Sequence, residues 1–165
     1  MKRIAANTIA QVLGKFIGAG TSFVVAFFLA QRLGAVGYGD FTKITTFIAP
    51  FFLLADFGLN AVFLQKKDDT AWWPHLLGLR VAGGTILVFL ALAILAFLPH
   101  GTNQGYTAMV RFGIVLFAPA ILFQALITTA NALFQKNLRY ALATVALGAG
   151  SLITLLLVLP LSIGV

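Results

Sequence analysis

Five stretches of this 165-residue chain carry no charged residue at all: Phe16 to Gln31, Ile44 to Ala55, Val81 to Leu98, Phe112 to Gln135 and Tyr140 to Val165. Most approach the roughly 20 apolar residues that cross a bilayer as a helix. A barrel strand would instead alternate polar and apolar positions over about ten residues, and no such alternation is present. In hydrocarbon a continuous run satisfies its backbone only as a helix. Charged residues make up 9% of the chain, where a soluble domain carries roughly a quarter, so a soluble globular enzyme is excluded. The expected fold is an all-α polytopic membrane bundle of about five transmembrane helices, at 9–31, 41–64, 76–98, 109–134 and 141–164. The opening Met1 to Arg3 followed by an apolar run resembles a secretory signal, but further apolar runs follow, and it reads as a retained first span.

The net charge of +7 is a statement about topology rather than about nucleic acid, because most basic residues sit at the chain start or in short links. With the N-terminus cytoplasmic, the inner segments hold Lys2, Arg3, Lys66, Lys67, Lys136 and Arg139, against Arg32, Lys43 and Arg111 outside. Six against three favours that orientation in the cytoplasmic membrane. Trp72, Trp73, Pro74 and His75 then read as an interfacial anchor ahead of the third span. Pro50 and Pro119 fall inside expected spans and predict kinks. Gly34, Gly37 and Gly39 predict a tight turn between the first two spans. Gly14, Gly18 and Ser22, four apart, form a small-residue face for close helix approach.

Catalytic equipment is sparse. Cysteine and glutamate are absent, the only carboxylates are Asp40, Asp56, Asp68 and Asp69, and His75 and His100 fall on opposite membrane faces. No nucleophile with a base, no zinc motif and no nucleotide fingerprint is visible. The reading is therefore of a non-enzyme, with no cofactor and no metal.

What stands out instead is ionised groups inside apolar helices, which cost about 2.5 to 3.5 kcal/mol each at mid-bilayer on insertion scales. At about 1.5 Å per residue, Lys15 lies about 9 Å beyond Ile9, and Asp56 about 12 Å before Leu64. Their matched depth predicts an ion pair or a shared water pocket between the first two spans. Gln11 shares a face with Lys15, and Asn60 with Asp56, each four residues away. Arg80, close to the inner end of its expected span, reads as a snorkelling arginine unless a cavity reaches it. On the fourth span Gln124, Thr128, Asn131 and Gln135 form a polar stripe, which suits either a hydrated cavity for polar cargo or hydrogen bonding between helices.

Three stretches together carry a resemblance: Asn7-Thr8 ahead of Gly14-Lys15-Phe16-Ile17; Leu33-Gly34-Ala35-Val36-Gly37-Tyr38-Gly39-Asp40-Phe41; and Leu54-Ala55-Asp56-Phe57-Gly58-Leu59-Asn60. In order and spacing they resemble the N-terminal part of polysaccharide biosynthesis transporters, the O-antigen type flippases of the multidrug/oligosaccharidyl-lipid/polysaccharide exporter superfamily. The resemblance implies a larger transporter of two helical bundles that moves a lipid-linked glycan between leaflets by alternating access. It also implies a chain that is an N-terminal fragment, part of one bundle, whose partners are membrane lipids and the missing C-terminal helices of the same protein. Lys15 and Arg80 would then meet the anionic pyrophosphate headgroup, and Asp56 would balance them or take a coupling proton or sodium ion. Gln11, Asn60, Gln124 and Asn131 complete the candidate cavity lining. The alternatives are an organic-cation exporter of the same superfamily, which the excess of Lys15 and Arg80 over Asp56 disfavours, and a non-transporting membrane scaffold.

Overall fold

The computed structural model describes residues 2–56, 58–65, 69–99, 101, 105–137 and 140–163. Among them the secondary structure is helical: α1 Lys2–Asp56, α2 Leu59–Gln65, α3 Asp69–Phe97, α4 Ala108–Phe117, α5 Ala120–Lys136 and α6 Tyr140–Ile163. Four stretches are long and apolar enough to cross a membrane: Gln11–Gln65, Trp72–Phe97, Ala108–Lys136 and Tyr140–Val158. The first runs to 55 residues, more than twice the roughly 20 that one crossing needs.

Its length follows from a break that consumes a single residue. Inside α1 the backbone leaves helical geometry only at Gly34, with φ 63° and ψ −175°. No side chain tolerates that region, so the break falls on glycine. The glycine-rich link expected after the first span is thus reduced to one position, and Gly37 and Gly39 remain helical. The kink expected at Pro50 is not where α1 departs from helical dihedrals; proline there sits within continuous helix. Pro119 does interrupt its span. It separates α4 from α5, and the N–H of Ala118 closes α4 by donating to the Ile114 carbonyl at 2.8 Å.

The chain divides into two compact units, 39–132 and 1–38 with 133–165. Unit 39–132 holds a hydrophobic core of Ile48, Phe51, Ala91, Leu95, Val110, Ile114, Ala118 and Ile121, drawn from the end of α1 and from α3 to α5. In a bilayer apolar packing gains little over lipid, so close approach rather than greasiness holds helices together. Gly84 supplies it: a Cβ there would stand 3.1 Å from Leu122 Cδ1, and 3.5 Å from both Leu122 Cα and Ala125 Cβ. The ends are tied as well. Thr107 caps α4 by accepting from the Val110 N–H at 3.3 Å, and Arg111 Nη1 donates to the Leu98 carbonyl just past α3 at 3.2 Å.

In the other unit the small-residue face of α1 works as expected. The Cβ position of Gly14 stands 3.4 Å from Thr144 Oγ1 and that of Gly18 3.5 Å from Leu147 Cδ2, both on α6.

Gly84 and its neighbour Gly83 give a direct test, since a Cβ at Gly83 meets nothing within 4 Å. Gly84→Leu should destabilise the detergent-solubilised protein by about 1–3 kcal/mol, while Gly83→Leu leaves its melting temperature nearly unchanged. Equal melting curves for the two variants would contradict the close α3–α5 crossing.

Candidate functional site

α1 ends at Asp56 and α2 begins at Leu59, with Gly58 between them at φ 72°. A helix end leaves carbonyls without intrahelical partners, and inside a membrane no water stands ready to replace them. Arg80 of α3 fills that gap. Its Nη1 donates to the Ala55 carbonyl oxygen at 3.1 Å, and its Nη2 donates to Asp56 Oδ1 at 2.9 Å and to Asn60 Oδ1. One guanidinium therefore reaches the last turn of α1, the carboxylate that terminates it and the first turn of α2.

The two charges are unequally placed. The Arg80 side chain is 0% exposed and that of Asp56 50% exposed. The cation is sealed inside the protein while its counter-ion forms the open side of the pair. Arg80 Nε is itself buried without a hydrogen-bond partner. Arg80 lies about 12 Å along α3 from Trp72, the start of a stretch long and apolar enough to cross a membrane.

The arrangement corrects one expectation: Arg80 does not snorkel, since its guanidinium is enclosed and holds three acceptors, Asp56 among them. Lys15 and Gln11 are exposed on α1. Asp56 and Asn60 do share one site, as their spacing implies. Arg80 was visible as a charge in an apolar helix; that its guanidinium reaches the end of α1 was not.

On α5 the buried positions are Ile121, Ala125, Thr129 and Ala132. The predicted stripe of Gln124, Thr128, Asn131 and Gln135 lies beside that face and is half-buried. At the start of α3, Trp72 and His75 are exposed, with their rings 6.1 Å apart, and the rings of Phe63 and Trp73 lie 6.1 Å apart, tilted by 57°. Phe63, Trp72 and His75, with Leu59, Val62 and Leu76, line an apolar groove between α2 and α3. Among the described residues no three His, Cys, Asp or Glu side chains converge as a metal site. Lys66, Lys67, Asp68, His100 and Arg139 lie outside the described residues.

Long apolar helices, glycine-mediated crossings and a buried arginine paired with a half-exposed aspartate define a multi-pass helical membrane protein. A family model described as "Polysaccharide biosynthesis protein" matches residues 4–165, nearly the whole chain, and the protein belongs to that family. Its function is, in general terms, that of a membrane transporter in polysaccharide biosynthesis. No curated protein and no solved structure matches the chain.

The asymmetry of the pair predicts asymmetric variants. Asp56→Ala strands a buried guanidinium and should cost on the order of 3 kcal/mol or more, whereas Arg80→Met leaves a carboxylate that is already half in the open and should cost less. Combining Asp56→Ala with Arg80→Met should recover much of the loss. Thermal melts of the three proteins in one detergent measure this, and additive losses would contradict the pairing.

Proposed function

We propose that the protein is a flippase that carries a lipid-linked oligosaccharide precursor across the cytoplasmic membrane by alternating access, with its N-terminus on the cytoplasmic side. The observation that carries this reading is the Arg80–Asp56–Asn60 cluster. An arginine sealed at membrane depth, with its counter-ion half open, is far more than a packing device requires in an apolar bundle, where ionisable groups mark transport pathways. Family membership supplies the saccharide, and a lipid carrier supplies the reason for a membrane.

In this reading five crossings come from the four apolar stretches, because Gly34 divides the 55-residue one into two lengths near that of a span. The cargo's charged link between lipid and glycan is anionic. An anion entering from the open side of the pair competes with Asp56 for the Arg80 guanidinium, whose planar fork suits phosphate oxygens. Lys15, exposed on α1, is a second candidate cation for an anionic lipid. Asp56, once released, becomes an acceptor for a coupling proton or sodium ion. Asn60, Gln124 and Asn131 line the passage.

Covalent chemistry has no part in the proposal: cargo is bound on one side and released on the other, and the protein's own groups change partners without bond cleavage.

The test is transport by the purified full-length protein in proteoliposomes, offered either a lipid-linked oligosaccharide or a lipophilic organic-cation dye. The lipid-linked glycan should change leaflets and the dye should not. Arg80→Gln and Lys15→Gln should each reduce glycan-lipid translocation about tenfold or more, the loss of one charge-assisted contact. Dye export with no movement of the glycan lipid would place the protein among cation exporters instead.

A further inference from the structure

Polar side chains inside the apolar stretches fall into two groups by how they are satisfied. The threonines look after themselves: Thr85, Thr128, Thr129, Thr144 and Thr154 each donate to the carbonyl four residues earlier, at 2.7–3.1 Å. Glutamine and asparagine have no such option, because an amide carries two donors and an acceptor that one backbone carbonyl cannot serve. On α5, Gln124 and Asn131 have no side-chain hydrogen-bond partner among the described residues. Gln124 sits about 18 Å along the helix from Lys136, near the middle of its span, and Asn131 about 7.5 Å.

Their direction is equally definite. At roughly 100° per residue, Gln124, Thr128 and Asn131 centre about a quarter of the circumference away from the face buried by Ile121, Ala125, Thr129 and Ala132. On the other side of the stripe lie the exposed Phe123 and Ile127. The amides thus border the packed core without entering it, and they are turned neither fully to the protein nor with the large apolar residues toward lipid. Facing hydrocarbon, each would cost several kcal/mol by the general penalty for an unpaired polar group.

From this placement we propose that Gln124 and Asn131 are glycan-contacting, specificity-determining residues: a neutral ladder that exchanges hydrogen bonds with the hydroxyl groups of the saccharide, separate from the charges that meet the headgroup. The proposal rests on the flippase reading above and deepens it. Three features point to hydroxyls as the matching chemistry. The groups are uncharged, so they hold no anion against competition from Arg80 and Lys15. Each amide both donates and accepts, as does a hydroxyl. The two amides lie about 10.5 Å apart along one helix edge, so an extended ligand with repeated polar groups meets both and a compact ion does not. Thr128 between them has already given its proton to the Gln124 carbonyl, leaving its oxygen as a further acceptor.

The experiment compares two ligands on full-length protein in nanodiscs: a polyprenyl pyrophosphate bearing an oligosaccharide, and the same polyprenyl pyrophosphate without sugar. The variants are Gln124→Leu, Asn131→Leu and the pair, with Gln124→Glu as a shape-preserving control that keeps the acceptor. The double variant should weaken binding of the glycosylated lipid about tenfold or more while binding of the sugar-free lipid changes less than about twofold. Its melting temperature without ligand should stay at the wild-type value.

Equal losses for the two lipids, or a lowered melting temperature with the sugar preference intact, would show that the amides bind a neighbouring helix and overturn the proposal. So would unchanged affinity for both lipids. If wild-type protein binds neither lipid, the flippase reading itself fails, an outcome distinct from any of these.

Discussion

Hydrocarbon offers no hydrogen bonds, and every polar atom carried into it must find a partner within the protein. The break between α1 and α2 concentrates that demand in one place. A helix end exposes carbonyls, and Asp56 adds a carboxylate at the same point; both present negative charge or its partial equivalent. A cation placed there answers both at once. Arg80 does so with a fork whose spread reaches the Ala55 carbonyl, the Asp56 carboxylate and the Asn60 amide together. Lysine, with a single compact ammonium, has no equivalent planar reach. The helix interruption and the buried charge are thus one feature: without the guanidinium the break has no electrostatic support, and without the break the guanidinium has no backbone acceptor.

The rest of the structure keeps polar demand low. Threonines return their hydroxyl protons to their own helices, which leaves backbone and side chain jointly satisfied with no neighbouring helix involved. Helix crossings use glycine, at Gly84 against Leu122 and at Gly14 against Thr144, where close approach brings many weak contacts into play. Lys43 and Asp40 pair at 3.1 Å with the lysine well exposed, an interaction that is worth little. Against this background, the polar groups with open valences are few.

Legibility in the sequence tracked how local each cause is. The last uncharged run lies in α6, described over Tyr140–Ile163. Pro119 falls between α4 and α5, as its missing N–H suggests, whereas Pro50 lies within continuous helix. The glycine cluster announced a break after the first apolar run but could not say that one residue, Gly34, would suffice. Asp56 was visible as a charge needing a partner, but that Arg80 of α3 reaches it is decided by packing between helices far apart in sequence. The acid, the amide beside it and the arginine were all visible as exceptions to apolar composition; which exceptions meet is decided by tertiary packing.

Reading function from such a chain is therefore a matter of subtraction. Hydroxyls satisfied by their own helix and pairs lying in the open account for themselves. What remains is a guanidinium held against a carboxylate that is half open, and amides on the edge of α5 that nothing within the described residues completes. Charge and neutral polarity are carried by different helices, Arg80 on α3 and Gln124 with Asn131 on α5. A ligand that is charged at one point and hydroxylated along its length would use both, and each set alone would discriminate poorly. Affinity from the charge would hold any anionic lipid, while the amides would distinguish among them, because a hydrogen bond left unmade costs more than one made returns.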